Sequence, residues 1–182
     1  MSDNTVVNTV LNAPALESFQ ARIYLYHENN KIPLRFSLPS EDRILGLFAE
    51  GNWLQAGDLA DSPVFEMEFL SKTADRLLFN IRARAHDRLF KRMGVSTNGY
   101  LGLYDYHTRT APWKLELLDW TGSEMICYLR DSEGNRVGVT SESTEVKGHK
   151  LLYLNSQKPL PCKFLVRKVV VQGQLEGTQW VS

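Results

Sequence analysis

Apolar residues along this chain come in short runs of period two, bounded by turn residues: Ile23 and Leu25; Phe65, Met67 and Phe69; Leu77, Phe79 and Ile81; Trp113, Leu115 and Leu117; Tyr153; Phe164 and Val166. Successive side chains of a strand point to opposite faces, so this spacing predicts strands with one buried face and an all-β chain. The window from Leu59 to Leu70 is apolar enough to suit a helix. Pro63 in its interior has no backbone donor and clashes with the preceding turn, so a turn followed by a strand is expected there instead. The first residues, largely Asn, Ser, Thr and Val, show no sustained periodicity. A flexible arm is expected over residues 1–18 and a single domain over 19–182.

Comparing the chain with itself adds a longer period. Pro63, Pro112 and Pro161 are 49 residues apart, twice, and each opens an apolar strand. Turn glycines recur ahead of short strands as Gly51, Gly99 and Gly148, and the stretch Leu77 to Arg82 returns 48 residues later as Met125 to Arg130. A further marker recurs as Asp42-Arg43-Ile44, Asp87-Arg88-Leu89 and Asn135-Arg136-Val137. These markers agree on three units of about 48 residues, too few for a propeller or a capped solenoid. The segment Asn98-Gly99-Tyr100-Leu101-Gly102-Leu103-Tyr104-Asp105, with the Trp113 strand after it, resembles the strand pairs of lectin-like, fascin-like and fibroblast-growth-factor-like members of the β-trefoil superfamily. That resemblance implies a β-trefoil: three repeats of about 48 residues with pseudo-threefold symmetry, twelve strands, six of them closing a barrel. The ricin-type signature Gln-x-Trp is not met, because Gln179-Trp180 lacks the spacer, so no sugar-binding residues carry over from that family. Trp180 suggests that Gln172 to Ser182 adds a closing strand.

Charge and cysteine usage narrow the function classes. Lys and Arg number 21 against 21 Asp and Glu, so the formal net charge is zero and nucleic acid is not an expected partner. The 182 residues suffice for a core without metal or disulfide support. The richest apolar run, Phe164 to Val171, is broken by Arg167 and Lys168, so no membrane insertion is expected. Residues Met1 to Asn12 hold no Lys, Arg or apolar block, which leads to the expectation of a cytoplasmic protein, or one released without a classical signal peptide. Cys127 and Cys162 each sit in an apolar, strand-like segment and are read as reduced core residues.

Little in the sequence supports catalysis. His27, His86, His107 and His149 show no metal-ligand spacing, and no nucleophile elbow or phosphate-binding glycine loop occurs. Neither an enzyme nor a cofactor is therefore expected. Glu66 and Glu68 alternate with Phe65, Met67 and Phe69 and read as a solvated strand face. In the basic run from Arg82 to Arg92, Arg82 matches Arg130, and Arg88 matches Arg43 and Arg136, so these arginines read as structural. Arg84, Lys91 and Arg92 remain as a candidate patch for an anionic partner. The loop Tyr104-Asp105-Tyr106-His107-Thr108-Arg109-Thr110 offers aromatic faces for a sugar ring and polar groups for its hydroxyls. Tyr104, Asp105, Tyr106, His107 and Arg109 are accordingly the candidate ligand-binding residues. The alternative for Tyr104 and Tyr106 is that they cover the barrel mouth. The expected function is lectin-like carbohydrate binding; the alternative is a protein-interaction module, by fascin-like actin binding or hydrolase inhibition. The oligomeric state stays open.

Overall fold

Alternation of buried and half-buried positions is the feature from which the fold is built. In a computed structural model, residues 17–37, 52–84, 91–105 and 110–170 are described. They form β1 (Phe19–His27), β2 (Asn30–Phe36), β3 (Leu54–Ala56), β4 (Val64–Lys72), β5 (Leu77–Ala83), β6 (Lys91–Val95), β7 (Leu101–Asp105), β8 (Trp113–Trp120), β9 (Glu124–Arg130), β10 (Gly138–Val146), β11 (His149–Asn155), β12 (Leu160–Pro161) and β13 (Lys163–Lys168). In β5, Leu77, Phe79, Ile81 and Ala83 are buried while Leu78, Asn80 and Arg82 between them are only half-buried. One face of the strand is the core face throughout its length.

Six strands close on themselves. The antiparallel pairings run β1 to β4, β4 to β5, β5 to β8, β8 to β9, β9 to β13 and β13 back to β1, so the ring has no free edge. Register keeps the apolar faces together: Ala21 faces Phe65, Met67 faces Ile81, Phe79 faces Trp113, Leu117 faces Cys127, and Val166 faces both Ile23 and Met125. All of these side chains are buried. Phe79 is also gripped edge-on by Phe19 at 5.8 Å and by Phe69 at 5.5 Å. The one polar atom of Trp113 is satisfied, its indole N–H donating to the Met93 carbonyl at 2.9 Å.

The β-trefoil expectation is corrected by this arrangement. Among the described residues the chain is all-β with a closed six-stranded antiparallel barrel and seven further strands outside it, and these outer strands do not repeat as a trefoil requires. Three equivalent outer hairpins would be needed for threefold repetition. Among the described residues the outer strands are joined unequally: β2, β3, β11, β10 and β12 pair side by side into one extended ladder, whereas β6 and β7 meet the barrel through the pair Arg82 and Arg92 and the Trp113 N–H to Met93, and meet the ladder through the isolated bridges Trp53 to Gly102 and Tyr100 to Asn155. The marker prolines do not give equivalent phases either: the first fully buried residue lies two places after Pro63 at Phe65, one after Pro112 at Trp113, and three after Pro161 at Phe164. Equal chain spacing therefore does not fix the phase of the strand that follows each proline. Physically, spacing counts residues between turns, while pairing depends on which strand edge is left open to receive a partner.

One sequence match does have a structural counterpart. Arg82 donates to Glu68 at 2.6 Å and Arg130 donates to Glu116 at 2.6 Å, each pair 14 residues apart across a barrel hairpin. Both cysteines are free thiols, but only Cys127 belongs to the core; Cys162 is half-buried, with its sulfur 3.2 Å from the Leu160 carbonyl. Residues 171–182, with Trp180, lie outside the described residues, as do 1–16.

Candidate functional site

The candidate site is a cleft beside the β6–β7 hairpin, and it begins with a glycine. Gly94 of β6 sits under Tyr104 of β7: a methyl group there would lie 2.9 Å from Tyr104 Cδ2 and 3.0 Å from Thr110 Cγ2. Only a residue without Cβ lets the tyrosine ring and the threonine close down on that strand. The cleft, about 250 Å³, is lined by Gly94, Val95, Tyr104, the run from Thr110 to Trp113, and Asp131 with Ser132. Trp113 forms its floor, since its ring is 2% exposed and its N–H is committed to Met93.

The polar lining is rigid. Asp131 Oδ1 accepts from the backbone N–H groups of Glu133 at 3.0 Å and Asn135 at 2.9 Å, and Oδ2 accepts from Asn135 Nδ2 at 3.1 Å. A side chain that closes its own turn in this way holds the adjacent Ser132 in place. Burial raises the Tyr104 phenol above its ordinary pKa, with the Ser96 hydroxyl pulling the other way. The Tyr104 oxygen is buried without a hydrogen bond of ordinary geometry.

The residues singled out in sequence fall on both sides of the description. Tyr104 and Asp105 are part of β7 itself, while Tyr106, His107 and Arg109 lie outside the described residues, as do His86 and Arg88. The structure places Lys91 opposite Asp105 and Arg92 opposite Tyr104 across the hairpin, so two of the candidate ligand residues and two members of the basic patch share one element. Lys91 Nζ is 3.7 Å from Asp105, which is largely exposed. The charge of Arg92 helps hold Glu68 below the ordinary carboxylate range, after the hydrogen bond from Asn80 and together with Arg82. Arg84 stands apart, exposed at the end of β5, with its backbone N–H bonded to the Val64 carbonyl.

No family model, curated protein or solved structure matches this chain.

Two further clefts flank the barrel. One, about 330 Å³, is lined by Thr73, Arg76, Leu78, Lys114, Arg130 and Gly134. The other, about 420 Å³, holds Tyr26, His27, Glu28, Asn29, Tyr128 and the run from Pro161 to Lys163. In the latter, Arg136 already covers the Tyr128 ring at 3.9 Å, and Tyr26 donates to Asn29 at 2.8 Å. Among the described residues no group of three or more His, Cys, Asp or Glu could hold a metal ion, and no helix is long and apolar enough to cross a membrane. Thr110 closes the loop singled out in the sequence, whereas Asp131, Ser132 and Lys114 carry no such mark there. The turn signal Asp131-Ser132-Glu133-Gly134 was available to find the first wall, but nothing local ties it to Tyr104, 27 residues earlier.

Proposed function

We propose that this protein is a non-catalytic carbohydrate-binding protein whose ligand lies in the Tyr104 cleft. The observation that carries this is the composition of the lining: an aromatic residue on one wall, hydroxyls of Thr110 and Ser132, and a fixed carboxylate turn, over an apolar floor. Apolar ring faces stack on aromatics while hydroxyls need several short polar side chains around them. At about 250 Å³ the cleft falls just under the roughly 300–1,000 Å³ of drug-sized sites, which fits one sugar ring better than a bulky cofactor. Rigid polar groups keep the ordering cost of binding low.

A glycan array probed with the parent protein and with Ser132→Trp tests the reading. Ser132 is exposed, so the tryptophan fills the cleft from outside without entering the core. Binding of a defined glycan class by the parent and its loss in the variant, at an unchanged thermal midpoint, is the expected result. An array on which the parent binds nothing refutes the reading, and a protein-interaction role then takes its place.

A further inference from the structure

The neighbouring cleft shares a wall with the Tyr104 cleft. Trp113 lines one and Lys114 lines the other; Asp131 and Ser132 line one while Arg130 and Gly134 line the other. The turn from Asp131 to Gly134 is therefore a ridge with a cleft on either side. Lys114 Nζ donates to the Ser132 carbonyl at 2.7 Å, which ties the cation of the second cleft to the backbone of the first.

The two clefts differ in charge. The second is lined by three cationic side chains, Arg76, Lys114 and Arg130, and by no carboxylate. Two of the cations are partly spent: Arg130 binds Glu116 and the Gly134 carbonyl, and Arg76 pairs with Asp75 at 2.9 Å. Lys114 is not. Among the described residues it has no carboxylate within ion-pair distance, and of its three ammonium donors only one is used by Ser132. The acids of the ridge keep their charge but are turned elsewhere: Asp131 toward three donors of its own turn and the Glu133 carboxylate toward Asn135 Nδ2 at 3.3 Å. An ammonium on a flexible stem, flanked by two guanidinium groups, is suited to a sulfate or carboxylate group.

Resting on the carbohydrate reading above, we infer that the ligand is an anionic oligosaccharide lying across this ridge. One sugar ring occupies the Tyr104 cleft, and the sulfate or carboxylate of an adjoining residue reaches Lys114, with Arg76 and Arg130 shaping the field around it. Discrimination between anionic and neutral chains then resides in Lys114, and ring binding resides in the Tyr104 cleft.

Titration calorimetry at several salt concentrations separates these roles, using a heparin-derived octasaccharide, a hyaluronan octasaccharide, a neutral chitin oligomer, inorganic sulfate, and a single-stranded oligonucleotide of matching charge. The parent should bind an anionic chain about tenfold more tightly than the neutral one, with the advantage shrinking as salt rises. Lys114→Gln should weaken anionic binding about tenfold more than neutral binding, and Lys114→Arg should restore most of the difference. Equal affinity for anionic and neutral chains, with Lys114→Gln silent, overturns this inference and leaves the carbohydrate reading standing. Binding of sulfate alone reduces the cleft to a simple anion site, and an oligonucleotide bound as tightly as the saccharides shows that charge without sugar suffices; either overturns it. Absence of binding to every saccharide overturns both readings together.

Discussion

Replacing Glu116 by Gln should destabilise the protein by about 3 kcal/mol at neutral pH. Glu116 is 8% exposed and holds three arginines: Arg130 Nε and Nη2 at 2.6 and 2.5 Å, Arg136 Nη2 at 3.1 Å, and Arg76 Nη2 at 3.9 Å. Gln keeps the shape but removes the charge and turns an N–H group toward donors that cannot accept it. A hydrogen bond to a charged group contributes about 1.5–3 kcal/mol. Arg136 is 36% exposed and Arg76 sits at the distance limit, so the contribution rests mainly on Arg130 and stays well below the sum of three pairs. For a chain of this size, about 3 kcal/mol corresponds to a fall of about 6–12 °C in thermal midpoint. The assay is urea unfolding at pH 7 beside a control, Glu28→Gln, whose ion-pair contact among the described residues is with the exposed His27 and whose effect should stay within about 0.5 kcal/mol.

The same residue predicts a pH profile. Burial alone would raise the Glu116 carboxyl, but the hydrogen bonds from Arg136 and Arg130 and the charges of Arg130 and Arg76 outweigh it and hold it below its ordinary 4.5. With the folded value depressed, the unfolded chain takes up the proton first as pH falls. The stabilisation is thus complete above about pH 4.5 and is lost on descending through the folded pKa. The difference between parent and Glu116→Gln should be constant from pH 8 to pH 5 and narrow below. A difference under 1 kcal/mol at pH 7, or one that does not narrow in acid, refutes the reasoning.

Gly94→Ala should leave the barrel folded while displacing Tyr104 or Thr110, since the new methyl meets them at 2.9 and 3.0 Å; loss of glycan binding with a thermal midpoint lowered by only a few degrees is the expected pair of results. Cys127, fully enclosed and pushed up to about 12 mainly by burial, should resist iodoacetamide in the native protein at pH 8, while half-buried Cys162 reacts slowly; mass spectrometry showing both labelled at one rate would contradict the barrel packing. Tyr100, raised to about 12 by burial and by its hydrogen bond to Glu142, should ionise last in an ultraviolet titration, and because its folded value lies above the unfolded one, the stability it contributes is present below about pH 10 and is lost between pH 10 and 12. Tyr100→Phe should remove that late step.

The barrel was legible because each of its strands has one face in the core. β5 and β9 alternate without interruption, and the residues named from alternation, Phe79, Ile81, Leu115 and Phe164, are buried. The outer strands were not legible to the same degree. β3 is three residues long and buried throughout, because β2 and β11 flank it, so it carries no alternation to read. β12 exists where Gly138 lets another backbone approach: a methyl there would meet the Leu160 carbonyl oxygen at 1.8 Å, a requirement that spacing does not express. The threefold pattern of prolines and glycines marks turns, and turns alone do not choose among edges. For the site, sequence marked Tyr104 and Asp105 from local composition but missed Asp131, Ser132 and Lys114, which reach the same place only through the pairing of β8 with β9.

That pairing also explains why function and stability are separable here. Trp113 points into the barrel, opposite Phe79, and Lys114 next to it points out, because successive residues of a strand face opposite ways. One strand thereby supplies the apolar floor of one cleft and the cation of the other, and the turn that follows its partner strand forms the ridge between them. A change at Trp113 removes core packing and cleft floor together, so its effect on binding cannot be apportioned. A change at Lys114 leaves the core packing in place, since its described hydrogen bond is to the exposed Ser132 backbone. Barrel stability therefore depends on the inward residues of β8, while on the proposed reading ligand choice varies through the outward ones at little cost to the fold, and Lys114 is the position at which a change in specificity is to be sought.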